Sequence, residues 1–219
     1  MSGYPRRIAE NALGALVSSV GIVLMLQANV GLEPWSVLQE GLSKTIGITY
    51  GTASMFVGAA VVAVAVLCGE SIGLGTILNI LLCAVFIDGI QALGWVPLVD
   101  SLWAGVLLLL LGLEILVVGT WLYMRTALGS GPRDALMVAL ARKTGRSVGV
   151  CRAVVDVTVI VLGWLLGGRV GVGTVISAVG LGTLFNLNFA LLRFRASELH
   201  QENLLETWRA LRRAAGRAS

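Results

Sequence analysis

The chain has 219 residues, of which 57% are of apolar type and 13% are charged, and its mean hydropathy is +0.89. A soluble domain carries about 25% charged residues, so this composition excludes a water-soluble protein and requires a membrane protein. The formal net charge of +4 is concentrated, with five of the sixteen Lys and Arg residues between Arg125 and Arg146 and six between Arg193 and Arg217; loops and a tail facing anionic lipid account for it, and no nucleic-acid partner is needed.

Arg6 and Arg7 precede an apolar run from Ala12 to Val30, a pattern that on its own suits a secretory signal peptide. An internal repeat argues for a retained helix instead. Gly31 to Gly51 reads GLEPWSVLQEGLSKTIGITYG, and Gly129 to Gly149 reads GSGPRDALMVALARKTGRSVG. Six identities, among them Pro34/Pro132 and Gly47/Gly145, fall at one shift of 98 residues (132 − 34 = 98). At the same shift Leu13-Gly14 falls on Leu111-Gly112, and GLGT from Gly73 falls on GVGT from Gly171.

Hydropathy predicts an all-α membrane protein with six spans, near 11–30, 52–69, 74–94, 103–124, 150–167 and 172–192, each of the length that a helix needs to cross about 30 Å of hydrocarbon. Residues 1–98 and 99–196 then form two membrane repeats of three spans each. An odd number of spans inserts the second repeat in the opposite sense to the first. The charges orient the pair: a cytoplasmic N-terminus puts Arg6, Arg7, the Arg125–Arg146 loop and the tail inside, and leaves only Lys44 and Arg169 outside.

Between the first and second spans of each repeat, Pro34 and Pro132 sit where a helix begins, and Gly47 and Gly145 where it stops. Such a short helix either lies flat at the interface or dips in and returns; lying flat is the simpler expectation. The tail, 197–219, alternates Leu204, Leu205, Trp208 and Leu211 with Arg209, Arg212 and Arg213 and reads as a basic amphipathic helix on the inner leaflet.

Cys68, Cys83 and Cys151 stand among apolar neighbours and imply no disulfide framework. The single His200 lies in the polar tail, which leaves no His-based metal site and no Ser-His or Cys-His catalysis. Neither an enzyme nor a cofactor is expected.

Ionisable groups inside hydrocarbon cost roughly 2.5 to 3.5 kcal/mol at a helix centre on insertion scales and point by default to function. Glu114 in the fourth span and Asp156 in the fifth qualify, with Arg152 one helical turn before Asp156 and placed to pair with it. The Arg152/Asp156 pair reads first as a structural ion pair; Glu114 reads equally as a solute-facing group or as a hydrogen-bonded one. Asn79, Thr76 and Thr174, early in the third and sixth spans, either join helices or face a cavity. These six residues form the candidate solute or ion path. Asp88 and its counterpart Asn186 lie near span ends, where solvation explains them. The Gly-rich starts GLGT and GVGT suit close helix packing, or backbone groups left available to a solute.

Beyond the residues themselves, the segments Gly31–Ser43 and Gly129–Arg152 resemble the YczE/YyaS/YitT-type integral membrane proteins of bacteria. The likeness rests on Pro34-Trp35 and on Gly131-Pro132-Arg133-Asp134, with Arg142, Gly145, Arg146 and Arg152 further on. It implies a multi-span helical fold in the bacterial cytoplasmic membrane and a candidate cytoplasmic motif of Gly131, Pro132, Arg133, Asp134 and Arg146. Ser36 stands where that pattern has Asp. The functional expectation is a small transporter with its path between the repeats. The alternatives are a substrate-binding subunit of a larger uptake complex and an accessory or regulatory membrane protein. Expected partners are the bilayer, an unspecified small solute, and a second copy or a partner subunit.

Overall fold

The computed structural model describes residues 3–129, 131–194, 201–204 and 206–207, without the side chains of residues 134, 135 and 138. The described chain is all helical: α1 (Gly3–Ala28), α2 (Pro34–Ile46), α3 (Tyr50–Leu67), α4 (Leu74–Leu93), α5 (Leu102–Met124), α6 (Pro132–Thr144), α7 (Val148–Leu165) and α8 (Val172–Leu191). All but α2 and α6 are long and apolar enough to cross a bilayer, which makes six spans. The predicted spans match them closely except at the start. Helix α1 begins at Gly3 because its polar first turns are held by charge: Arg6 pairs with Glu10 at 2.9 Å, Arg125 reaches Glu10 at 3.3 Å, and Arg7 donates to the carbonyl of Thr126 at 2.7 Å.

Local signals set the other boundaries. Glu33 caps α2 ahead of Pro34 by accepting from the N–H of Trp35, and Gly47 ends the helix at φ 74°. Thr49 accepts from the N–H of Thr52 to start α3, as Ser147 accepts from that of Val150 to start α7. Both bounds of α2, α3 and α4 recur in α6, α7 and α8 at a shift of 98 (132 − 34, 148 − 50, 172 − 74, and likewise at the C-terminal ends).

Packing sorts the helices into two groups. Helices α1, α4, α5 and α8 enclose a core around Met25, Ile87, Leu109, Leu113 and Val117. Helices α2, α3, α6 and α7 enclose a second, around Trp35, Val57, Val61, Leu136, Met137 and Val159. The repeats interlock within the second group, since α2 lies against α7 and α6 against α3. The linkers cross over as well: the N–H of Gly75 donates to the carbonyl of Leu128 at 2.8 Å, and that of Gly173 to Val30 at 2.7 Å. GLGT and GVGT therefore use their backbone for packing and offer none of these groups to a solute.

The first group is built on an antiparallel seam between α1 and α5. A Cβ on Gly14 would stand 2.6 Å from the backbone nitrogen of Tyr123, and one on Gly21 would stand 2.5 Å from the carbonyl of Gly112. Rising numbers in α1 meet falling numbers in α5, and only glycine lets the two backbones come this close.

Helix α2 does not lie flat at a surface. Pro34, Trp35, Ser36, Val37, Gln39, Glu40 and Gly41 are buried, because Trp35 wedges between the middle turns of α3 and α7. Leu136 and Met137 carry the start of α6 into the same cluster. Both short helices thus begin inside the protein.

One contact is not shared between the repeats. Helix α3 packs along α4, whereas α7 and α8 make little or no contact. At the closed seam Asp88 Oδ1 accepts from the N–H of Gly51 at 2.7 Å and Oδ2 accepts from Thr49 Oγ1 at 2.6 Å, so Asp88 is a clasp and not a solvated helix end. Its counterpart Asn186 is exposed, as are Ser147 and Gly149, and a Cβ on Gly149 would meet nothing within 4 Å. Of the tail, residues 201–204 fold back on the N-terminal end of α1, where Glu202 pairs with Arg7 at 2.7 Å and accepts from Tyr4 Oη at 2.6 Å; the predicted amphipathic helix lies, but for residues 201–204 and 206–207, outside the described residues.

The seam sets a stability test. Gly21→Ala and Gly112→Ala are expected to lower thermal stability in detergent by the roughly 1 to 3 kcal/mol of an overpacked core. Gly89→Ala, where an added Cβ meets nothing within 4 Å, should leave it unchanged or raise it. Thermal unfolding of the three variants checks this.

Candidate functional site

The N-termini of α2 and α6 meet in the middle of the molecule. Glu33 is 1% exposed, and Arg133, in the first turn of α6, donates from Nη1 to its Oε1 at 2.9 Å. Ser36 Oγ donates to the same oxygen at 3.0 Å. The guanidinium of Arg133 sits over the ring of Trp35, 5.2 Å from its centroid. Trp35 is the repeat counterpart of Arg133 (133 − 98 = 35), so the two copies of the short helix face one another across this contact.

Around the pair lies a cavity of about 150 Å³. It sits between the two helix groups and is lined by Ser18 and Ile22 of α1, Asn79 and Cys83 of α4, Thr120 of α5 and Ser177 of α8. Gln39, which accepts from Tyr50 Oη at 2.7 Å, lines it as well. A second ion pair faces it from α7: Arg152 Nε stands 3.5 Å from Asp156 Oδ2.

The lining continues through Tyr123, Phe185 and Arg152, which lie on the half of α5, α8 and α7 nearest the N-terminal face of the molecule. The far side is closed. There Arg169 donates from its backbone N–H and from Nε to Glu40 at 2.7 and 2.6 Å, from Nη1 to Asn29 at 2.9 Å and from Nη2 to the carbonyl of Leu26 at 3.0 Å.

The structure brings together six of the residues singled out in the sequence: Asn79, Gly131, Pro132, Arg133, Arg152 and Asp156. It separates the others. Thr76 and Thr174 are buried at the crossover linkers, where Thr174 Oγ1 accepts from the N–H of Gly171 at 3.2 Å and Thr76 packs against Gly129. Glu114 is half-buried and outside the cavity lining, because it projects from the side of α5 opposite Gly112, Leu116 and Gly119, the residues that form the seam with α1. Arg146 is exposed in the turn after α6, and the side chain of Asp134 is outside the described set.

A model of a family of unknown function, DUF6198, matches residues 5–188. The chain belongs to that family. Its relatives include an uncharacterized protein of Haemophilus influenzae, 34% identical over 77% of this chain and 76% of the relative. A Bacillus subtilis protein described as the uncharacterized membrane protein YczE is 30% identical over 84% of this chain and 90% of its own. Another from the same species, YyaS, is 27% identical over 80% and 88%. These names agree with the resemblance carried by the Pro-Trp and Gly-Pro-Arg-Asp motifs. No solved structure matches the chain.

The DUF6198 match spans every cavity residue named above. Sequence reading passed over Glu33, Trp35, Gln39, Tyr123 and Ser18 as site residues. Glu33 lies outside every hydrophobic span, so a search for charges inside spans does not see it. The available signal was its place immediately before Pro34, where a carboxylate caps a helix.

Removing one member of a fully buried pair costs roughly 3 to 5 kcal/mol; with Glu33 buried and Arg133 32% exposed, the cost here is up to that size and larger for loss of Arg133, which leaves the buried carboxylate unpaired. Glu33→Gln and Arg133→Met should each destabilise the protein strongly, and the double variant should lose less than the sum of the two. A double-mutant cycle on thermal or denaturant unfolding measures that coupling.

Proposed function

We propose that this protein is a transporter of a small solute, with its path through the central cavity and with the helix group α2, α3, α6 and α7 rocking against α1, α4, α5 and α8. The repeats act as an inverted duplicate, an arrangement by which many secondary transporters alternate access. The antiparallel course of α1 and α5 and the matching helix bounds support that reading. Arg6, Arg7, Arg125, Arg142, Lys143 and Arg146 gather toward the N-terminal face, while Lys44 and Arg169 stand on the other; this favours a cytoplasmic N-terminus in the bacterial inner membrane.

The observation that carries the proposal is the unequal pair of seams. Repeat-equivalent helices would hold equivalent contacts in a static two-fold scaffold, yet α3 is clasped to α4 while α7 and α8 make little or no contact. In a rocking pair these are the two ends of one motion. The far face is closed in the conformation described here and the cytoplasmic face is open. The opposite state closes α7 on α8, with Asn186 taking up Ser147 and Gly149 as Asp88 holds Thr49 and Gly51.

Cysteine cross-linking tests this in liposomes, in a background with Cys68, Cys83 and Cys151 replaced by Ala. Ser147→Cys paired with Asn186→Cys should form a disulfide under mild oxidation. With that disulfide in place, a cysteine at Ser54 in the cavity should become reactive to a membrane-impermeant reagent from the far face. The proposal is lost if Ser147→Cys/Asn186→Cys never cross-links while the Thr49→Cys/Asp88→Cys control does.

A further inference from the structure

We propose that the central cavity selects a small zwitterion carrying one ammonium and one carboxylate group, an inference that rests on the transport role above for its biological use but is stated for binding alone. Four charged side chains face the cavity, Glu33, Arg133, Arg152 and Asp156, and their formal charges sum to zero. A solute with net charge would leave one charge unmatched among these four, which is unfavourable wherever the cavity closes over it. A zwitterion adds no net charge and still offers an anion to an arginine and a cation to a carboxylate.

The two ion pairs are not equivalent. Glu33 is fully engaged, by Arg133, by Ser36 Oγ and by the N–H of Trp35 at 3.3 Å. The separation of 3.5 Å between Arg152 and Asp156 is longer than the roughly 2.7 to 2.9 Å of a charge-assisted hydrogen bond. Neither group makes another bond among the described residues. This loose pair is where a solute enters: its carboxylate takes the donors of Arg152, and its ammonium takes the oxygens of Asp156.

Two neutral residues of the lining add polar character to it. Ser18 Oγ and Asn79 Nδ2 line the cavity, are shielded from solvent, and have no hydrogen-bond partner; Ser18 is 3% exposed. Buried polar groups in native proteins are nearly always satisfied, so a lining with two unsatisfied ones is more consistent with a polar occupant than with an apolar one. Size narrows the class. A cavity of about 150 Å³ is of the order that holds a benzene-sized guest and accommodates solutes of roughly six to ten non-hydrogen atoms.

The test is calorimetric titration of the full chain in nanodiscs with alanine, proline and glycine betaine as zwitterions, and with propionate and propylammonium as singly charged controls. At least one zwitterion should bind about tenfold or more tightly than either control, the difference expected for one lost charged contact. Arg152→Gln and Asp156→Asn should each remove that preference in protein that remains monodisperse and helical. Equal binding of zwitterions and controls, no binding by any probe, or a preference untouched in Asp156→Asn overturns the proposal; if a variant fails to fold, the wild-type series decides. Binding of a zwitterion without uptake into proteoliposomes would sink the transport role and leave the ligand class standing. Uptake of propionate or propylammonium in preference to every zwitterion would do the reverse.

Discussion

A carboxylate that is 1% exposed requires a partner, and the position of that partner organises the molecule. Glu33 meets Arg133 at 2.9 Å, and to do so the chain must turn back after α1, begin α2 within the protein, and bring the start of α6 to the same place from the other repeat. The N-terminus of each short helix carries unpaired N–H groups that bilayer hydrocarbon cannot satisfy. In α2 the Glu33 carboxylate accepts one of them, from Trp35. The ion pair, the cap and the Arg133 contact with Trp35 are therefore one structure. It leaves a polar centre with walls on which further polar groups can be placed.

The two helix groups solve different problems around that centre. Between α1 and α5 the backbones touch through glycine, and a contact of this kind has no slack: moving either helix by a fraction of an ångström either clashes or opens a void. The second group is joined by larger side chains, Trp35, Leu136 and Met137 among valines, and touches the first mainly through α3 on α4. A rigid seam on one side of the cavity and one clasped edge on the other are the asymmetry on which the proposed rocking motion rests. The far-face contacts of Arg169 with Glu40, Asn29 and Leu26 have no counterpart on the opposite face, since the first repeat has Ser71 where Arg169 would map (169 − 98 = 71).

Most of the fold was legible from two signals, hydropathy and the repeat. Long apolar runs fix the spans because backbone groups in a bilayer must be satisfied within a helix, and Pro34, Gly47, Pro132 and Gly145 bound the short helices by local backbone rules. What could not be read was which surface each helix would bury. The stripe of Trp35, Leu38 and Leu42 suits a membrane interface and a protein interior equally, and only the wedge between Val61 and Val159 decides it. Glu114 was singled out for its depth in a span, yet depth says nothing about azimuth, and the seam glycines turn it away from the cavity. Asp88 resembled a solvated helix end because its partners, Thr49 and Gly51, are 39 and 37 residues away.

Ser36 shows how one local departure from a pattern can follow from the same charge balance. The resemblance places an acid at this position. Its hydroxyl here lies 3.0 Å from Glu33 Oε1 and donates to it, whereas a carboxylate in its place would put two like charges in one buried site with Arg133 to serve both. Like charges sharing such a site cannot both ionise readily, and the cavity would no longer be neutral. Serine at 36 and glutamate at 33 are therefore best understood together: the acid stands one residue ahead of the proline, where it both caps α2 and reaches Arg133, and the hydroxyl one turn on holds its remaining lone pairs. The site keeps one anion for each cation, and the proposed preference for a solute without net charge rests on that balance.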